Sequence, residues 1–95
     1  MSRKTIAVLA TLDTKGKEAE FLRGQIATHG CAALVVDVGV TGTPAARADV
    51  TRTEVADAGG TPLARLLKNP DREVAAPVMA EGATRSAPAR AWDTA

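Results

Sequence analysis

Two uninterrupted apolar runs lie in the first half of the chain, at residues 6–10 and 32–36. Neither run alternates with polar residues, and such runs are typical of strands covered on both faces, as in parallel sheets. We therefore expect two buried strands, the second extending over residues 32–39. Each strand is followed by, or ends in, a short polar segment that carries an aspartate.

The segment between the runs predicts a helix over residues 15–29. Ala19, Leu22 and Ile26 recur at helical spacing, so they should form its buried face. Gly30 follows, and a glycine just past a helix commonly adopts the left-handed conformation that closes the last turn. Strand, helix and strand form a βαβ unit, whose right-handed crossover makes the strands parallel and brings their carboxyl ends to one edge.

The second half begins with a loop at residues 40–50, which is rich in small residues and contains glycine and proline. Thr51 and Glu54 then have the spacing of a capping box. They predict a short helix that runs to about Ala58 and is ended by the two glycines that follow.

Two more helices are predicted after these glycines. Thr61 and Pro62 offer an N-cap and a proline in the first helical position, and residues 69–71 repeat this arrangement before a helix over residues 72–81. Pro77 lies inside that last helix, where it removes a hydrogen bond and should kink or end the helix.

The final segment, residues 84–95, is small, polar and basic, without helical or strand periodicity. It is predicted to be a disordered or frame-shifted tail, which leaves residues 1–83 as the folded part. Two strands are too few for a stable sheet. We therefore predict an α/β fold with a three-layer, doubly wound, Rossmann-like parallel sheet, of which this chain holds only the initial βαβ unit and short helices.

Composition narrows the function classes. A chain of 95 residues holds one small domain and buries only about 60–65% of its unfolded surface. Its net charge of +1, with acidic and basic residues interspersed, creates no field that would gather nucleic acid or an anionic membrane, so neither is expected as a partner. The single cysteine and the absence of an apolar targeting segment predict a cytoplasmic protein without an internal disulfide.

The turn after the first strand contains Asp13, Thr14, Lys15 and Gly16 and is the strongest candidate for a binding site. α/β proteins bind ligands at the carboxyl ends of parallel strands, and the amides and dipole of a helix N-terminus favour an anion. Lys15 adds a positive charge, so a phosphate or a carboxylate is the expected ligand. Asp13 would repel a phosphate unless Lys15 or Mg²⁺ lay between them.

The same turn also allows a structural interpretation. Asp13 or Thr14 could cap the helix while Lys15 is solvated. The turn lacks the glycine patterns of P-loops and of dinucleotide folds. From spacing alone, both interpretations stay open.

Three other residues are candidates for a chemical role. Asp37, at the end of the second strand, could accept a hydrogen bond from a ribose hydroxyl or cap the following loop. His29 has no partner at catalytic spacing and is interpreted as structural. Cys31 precedes an apolar strand and is expected to be a small buried hydrophobe.

Three motifs, in order along the chain, resemble one family: residues 11–16, 35–39 and 48–56. Over roughly residues 4–83 the chain resembles the N-terminal ATP-binding domain of the tomato mosaic virus resistance protein and its bacterial relatives, an uncharacterised protein family. The resemblance implies an α/β domain that binds ATP, a later glycine-rich loop that completes the site, and a C-terminal TIM-barrel-like domain.

The resemblance also implies which residues form the nucleotide-binding rim. They are Thr11, Asp13, Thr14, Lys15, Gly16, Asp37 and Gly39. The glycine-rich loop is missing from this sequence, Pro77 falls where relatives keep an uninterrupted helix, and the likeness ends at Thr84. A truncation or a frame shift would have these effects and would impair ATP binding by this chain alone.

These inferences lead to two functions of different classes. The first is an ATP-binding or nucleotide-binding α/β domain fragment of a cytoplasmic two-domain protein, which binds phosphate at the first strand-helix turn. The sequence pairs no nucleophile with a base, so no catalytic residue is assigned. The alternative is a non-catalytic interaction subunit that completes its sheet with a separately encoded C-terminal remainder or with a second copy of itself. A non-functional remnant is a third hypothesis.

Overall fold

The computed structural model describes residues 4–68 and 72–93. The elements in chain order are β1 (Thr5–Ala10), α1 (Leu12–Thr28), β2 (Ala32–Asp37), α2 (Arg52–Ala58), α3 (Leu63–Lys68) and α4 (Arg72–Asp93). The two strands pair in parallel, with Thr5 opposite Ala32 and Ala10 opposite Asp37, and α1 connects them. The βαβ unit and the α/β fold class are thus confirmed.

Helices cover both faces of the sheet. The cluster beneath α1 consists of Val8, Leu12, Ala19 and Val35. The cluster beneath α2 and α4 includes Leu34, Val36, Val55, Met79 and Ala83. Neighbouring residues of a strand point to opposite faces, so consecutive residues of β2 belong to different clusters. This is the three-layer arrangement that the sequence predicts.

The outer edge of β2 is closed by the end of the loop that follows it. Val50 forms a parallel bridge with Val36. Asp49 Oδ2 accepts a hydrogen bond from the Val35 amide at 2.8 Å and another from Arg23 Nη1 at 3.1 Å. The backbone on this side of β2 therefore has partners within the chain.

The prediction that β1 is covered on both faces is wrong. Val8 is buried, but Ile6 is 44% exposed and Leu9 is 53% exposed. The reason is that, within the described part of the chain, β1 has a neighbouring strand on one side only, so its outer half lacks the cover that β2 receives. The corresponding prediction for β2 is confirmed at Val35 and Val36, which are fully buried.

Helix α1 begins at Leu12, directly after β1, rather than at residue 15. The Thr11 carbonyl accepts hydrogen bonds from the amides of Thr14 at 3.1 Å and Lys15 at 2.8 Å, so the first turn closes at once. Lys15 has non-helical angles (φ −117°, ψ 23°) and marks a kink. The polar residues predicted as a turn thus form the kinked first turn of the helix.

The buried face of α1 differs in part from the predicted one. Its buried residues are Leu12, Gly16 and Ala19. Leu22, which was expected to be buried, is exposed because it lies to the side of this row. Gly30 has φ 79°, and the left-handed conformation predicted for it after the helix is confirmed.

The capping box of α2 is confirmed. The Glu54 amide donates to Thr51 Oγ1 at 3.3 Å, and the Thr51 amide donates to Glu54 Oε1 at 3.4 Å. The helix ends at Ala58, as predicted, with Gly59 as its C-cap.

Helix α3 begins at Leu63, one position later than predicted. Pro62 lies just outside it, and its carbonyl accepts from the Leu66 amide at 3.2 Å. The prediction for residues 69–71 falls outside the described residues.

Helix α4 differs most from prediction. It was expected to cover residues 72–81 and to kink or end at Pro77, but it continues past Pro77 to Asp93. Most of the segment predicted as a disordered tail is therefore helical. The reason is packing: Met79, Ala83 and Ala87 are buried in the cluster shared with α2, which offsets the helix-breaking tendency of proline.

Across residues 4–68 and 72–93, no helix combines the length and the apolar character needed to cross a membrane.

Candidate functional site

The carboxyl ends of both strands open into a cleft of about 570 Å³. Its polar side chains are those of Thr11, Asp13, Thr14 and Thr41, and Gly39 also lines it. The wall contributed by α4 consists of Ala75, Ala76, Met79 and Ala80, and Leu9, Val38 and Val40 complete the lining. The cleft lies where parallel α/β sheets bind ligands, and it contains four residues of the predicted rim, from both strand ends.

Asp37 is not among the lining residues, because its carboxylate is 1% exposed and is used inside the protein. Oδ2 accepts from Arg52 Nε at 2.9 Å. Oδ1 accepts from the Gly39 amide at 2.9 Å and the Leu12 amide at 3.3 Å. Of the two interpretations of Asp37, this geometry fits the loop cap; a direct contact with a ribose hydroxyl does not fit a buried carboxylate whose oxygens are both engaged.

The same contacts change the expectation for the N-terminus of α1. The free amides of that end were expected to bind an anionic ligand, but the Leu12 amide donates to Asp37, and the Thr14 and Lys15 amides donate to the Thr11 carbonyl. A carboxylate of the chain itself therefore occupies part of the position predicted for a ligand anion.

Arg52 joins the segments around the cleft and was missed by sequence reasoning. Besides Asp37, its guanidinium donates from Nη1 to the carbonyls of Thr41 at 2.8 Å and Gly42 at 3.0 Å. Its Nη2 lies 3.7 Å from Asp13 Oδ1. One buried arginine thus links the end of β2, the loop after it and the first turn of α1. Its local sequence resembles that of a solvated helix arginine, because every one of these partners is distant along the chain.

Asp13 is the charged group of the cleft lining. Its side chain is partly exposed, and Arg52 lies beside it on the protein side. A Cβ at residue 39 would lie 2.8 Å from Arg52 Nη2 and 3.0 Å from Asp13 Oδ1, so glycine is needed where the loop passes these charges. Asp13 is therefore held in place while still bordering the cleft, where its carboxylate could accept a hydrogen bond or ligate a cation.

Thr11 and Thr14 supply the hydroxyl groups of the cleft. Their Oγ1 atoms are 3.0 Å apart, and Thr14 Oγ1 donates to the Thr11 carbonyl at 3.4 Å. Both residues are exposed, so a ligand could exchange these local hydrogen bonds for its own. Hydroxyls that both donate and accept suit phosphate oxygens and sugar hydroxyls alike.

Lys15 and Gly16 are not among the lining residues. Lys15 is exposed at the kink of α1. Gly16 is buried against the loop, and a Cβ there would lie 2.8 Å from Ala45 Cβ. Gly16 therefore has a packing role, whereas Lys15 carries an exposed charge in the same turn as Asp13 and Thr14.

His29 and Cys31 lie at the other end of α1 and β2. His29 Nδ1 is 2.7 Å from the Gln25 carbonyl, and Cys31 Sγ is 3.9 Å from the His29 carbonyl. Cys31 is half-buried rather than fully buried. In the part of the chain that the structure describes, no group of three or more His, Cys, Asp or Glu side chains could hold a metal ion.

The fold and the cleft define the class: an α/β unit with a ligand-sized cleft at the carboxyl edge of a parallel sheet. The chain belongs to the uncharacterised protein family UPF0261, whose N-terminal domain matches residues 4–94. This match extends past Thr84, so the prediction that the likeness ends there is wrong. The bacterial part of the predicted resemblance is thus confirmed, and the relation to the plant resistance protein stays a prediction.

The curated relatives are bacterial UPF0261 proteins. One from Clostridium tetani (strain Massachusetts / E88) is 42% identical over 79 residues, which are 83% of this chain and 20% of that protein. Relatives from Brucella suis biovar 1 and Brucella melitensis biotype 1 are 34% identical over 79 residues, 83% of this chain and 19% of each relative. The chain thus matches about a fifth of the length of these relatives. No solved structure matches it.

Proposed function

We propose that this chain is a nucleotide-binding part of a cytoplasmic protein and that ATP binds in the cleft at the carboxyl edge of the sheet. The observation that carries the proposal is the meeting of Thr11, Asp13 and Thr14 with Gly39 around one cleft. Its volume of about 570 Å³ is within the usual range for small-molecule sites.

The two walls of the cleft suit the two ends of a nucleotide. The α4 wall, with the exposed Ala76 and Ala80, offers an apolar surface for a base. The hydroxyls of Thr11 and Thr14 can bind ribose or phosphate oxygens on the opposite wall. The proposal therefore places the base on α4 and the polar part of the ligand beside the first turn of α1.

The charge of Asp13 sets the conditions for phosphate binding. Arg52 offsets this charge only from the protein side, so a phosphate next to Asp13 needs a cation. Mg²⁺ bound to phosphate oxygens could accept Asp13 as a further ligand, since Mg²⁺ in nucleotide sites commonly uses one or two carboxylates. Lys15, exposed beside this turn, could supply a second positive charge. We therefore propose Mg·ATP rather than free ATP as the ligand.

The proposal concerns binding alone and assigns no reaction.

The test is titration of the purified chain with Mg·ATP. Calorimetry measures the heat of binding, and thermal denaturation measures the midpoint of unfolding. A ligand held only by the native state raises the midpoint. Parallel titrations with ATP in EDTA, with adenosine and with inorganic phosphate identify which part of the ligand is recognised. Absence of both heat and a midpoint shift in a folded sample contradicts the proposal.

A pair of variants locates the binding. Asp13→Asn should reduce the difference between Mg·ATP and metal-free ATP, because it removes the carboxylate nearest the proposed cation. Asp57→Asn, at an exposed position of α2, removes the same charge elsewhere and should bind like the unaltered chain. Equal affinities of the two variants would exclude Asp13 from the site.

A further inference from the structure

The outer edge of β1 is the unfinished edge of the sheet. Among the residues that the structure describes, the sheet has two strands, and the far side of β2 is closed by Asp49 and Val50. Within residues 4–68 and 72–93, the far side of β1 has no paired strand. Its backbone groups are therefore available to a further strand.

The hydrogen bonds at both ends of β1 show which groups face this edge. The Ala32 amide donates to the Lys4 carbonyl at 2.8 Å, and the Val38 amide donates to the Ala10 carbonyl at 3.0 Å. Successive residues of a strand alternate in the side to which their N–H and C=O point. Since residues 4 and 10 point towards β2, the backbones of Thr5, Ala7 and Leu9 point to the open edge.

The side chains of β1 are those of an inner strand. Strands that end a sheet are commonly protected by charged residues, proline or a bulge. β1 contains none of these, since its six residues are Thr, Ile, Ala, Val, Leu and Ala. Ile6 and Leu9 point to opposite faces, and both are about half exposed. A further strand, with helices of its own, would cover both.

A second copy of the chain does not fit this edge well. Two copies that paired β1 with β1 around a two-fold axis would form an antiparallel pair. A strand that is apolar on both faces is typical of a parallel sheet, and β1 already pairs in parallel with β2. The relatives contain a better source of a further strand, because the segment matched by this chain is only 20% of the Clostridium tetani protein.

We propose that the open edge of β1 is a docking site for a parallel strand from the part of a UPF0261 protein that lies outside the segment matched here. That part of the Clostridium tetani relative is called the companion segment below. The docked strand forms backbone hydrogen bonds with Thr5, Ala7 and Leu9. It also covers the side chains of Ile6 and Leu9. This role does not depend on nucleotide binding.

The first experiment is co-expression of this chain with the companion segment. The expected product is a complex with one copy of each, seen by sedimentation and native mass spectrometry. In hydrogen exchange, the amides of Ile6, Val8 and Ala10 should be protected with or without the companion segment. The amides of Thr5, Ala7 and Leu9 should become protected only in the complex.

Three variants test the surface itself. Ile6→Lys places a charge beside the edge, and Ala7→Pro removes an outward N–H, which proline at a sheet edge tolerates. Each should weaken the complex by at least about tenfold, with little change in the fold of the free chain. Leu67→Lys puts the same charge at an exposed leucine of α3 and should leave the complex unchanged. Equal weakening by all three variants would overturn the proposal.

Hydrogen exchange in the intact Clostridium tetani protein decides the case if no complex forms between separate chains. Protection of every amide in the strand that corresponds to β1 supports the proposal. Fast exchange at alternate amides overturns it, because the strand would then be an edge in the full-length protein as well. The proposal is also overturned by a stable dimer of this chain in which the amides of Thr5, Ala7 and Leu9 are protected and which the companion segment does not dissociate.

Discussion

Arg52 and Asp37 form a buried ion pair, with Nε 2.9 Å from Oδ2, that ties the first residue of α2 to the last residue of β2. Both residues are almost wholly buried. The attraction within such a pair adds little to the stability of the fold. Removal of one partner is nevertheless costly, because the other charge then stays buried without compensation.

Replacement of Arg52 by Met should therefore lower the free energy of unfolding by about 3–5 kcal/mol. It leaves Asp37 buried without its cation and releases the carbonyls of Thr41 and Gly42. Urea denaturation measures the change. Arg65→Met, at an exposed position of α3, is the control and should stay within about 0.5 kcal/mol of the unaltered chain. The double variant Arg52→Met with Asp37→Asn should recover part of the loss, and strict additivity would contradict the coupling.

A glycine pair separates close packing from helix propensity. Gly82 of α4 lies so near the Val55 carbonyl of α2 that an added Cβ would collide with it. Gly82→Ala should thus destabilise the chain by about 1–3 kcal/mol, although alanine is the better helix former. Gly24, inside α1, has no heavy atom within 4 Å of the corresponding position. Gly24→Ala should stabilise the chain by about 0.4–1 kcal/mol. Thermal or urea denaturation measures the change in unfolding free energy for both variants. Changes of the same sign would contradict this difference in packing.

Lys15→Ala tests the charge beside the polar wall. Because Lys15 is exposed and is not part of the cleft lining, its loss should leave the unfolding free energy within about 0.5 kcal/mol. It should weaken Mg·ATP binding only about two- to fivefold. Lys17→Ala, also exposed on α1, controls for the general loss of positive charge. Calorimetric titration with Mg·ATP compares the two variants. Identical dissociation constants for Lys15→Ala and Lys17→Ala would exclude Lys15 from the predicted site.

Thr14→Val tests the hydroxyls. Thr14 Oγ1 bonds only locally, to Thr11, so its removal should change stability little. A lost ligand hydrogen bond of about 0.5–1.5 kcal/mol corresponds to a two- to roughly tenfold loss of affinity. The matched control is Thr28→Val, since Thr28 Oγ1 likewise donates to a carbonyl of its own helix, that of Gly24, at 2.8 Å. Unchanged affinity of Thr14→Val for Mg·ATP would place the ligand elsewhere.

The sequence predicts the parts of this structure that depend on neighbouring residues. The apolar runs, Gly30 and the Thr51 capping box each act through local contacts, and they locate β1, β2, α2 and the shared carboxyl edge. The cleft lies at that edge, and its lining includes Asp13, Thr14 and Gly39, which the strand ends predict, and Thr11, which the family resemblance implies.

The parts that depend on distant contacts could not be predicted in this way. Pro77 and the small residues after it favour the end of a helix locally, yet α4 continues because its buried residues pack on α2. Asp37 has the same local sequence whether it faces a ligand or an arginine. Only the fold brings Arg52 to it, and this contact fits the loop-cap interpretation of the residue.

The carboxylate of Asp37 has a consequence for how any ligand meets this protein. Since it binds the Leu12 and Gly39 amides from within, the junction between β1, α1 and the loop is assembled without help from outside. A nucleotide bound as proposed would therefore have little backbone to order, so little of its interaction energy would be lost to that step. Substitution of exposed side chains such as Thr11 and Thr14 could then change which ligand binds, while the contacts of Asp37 stay the same.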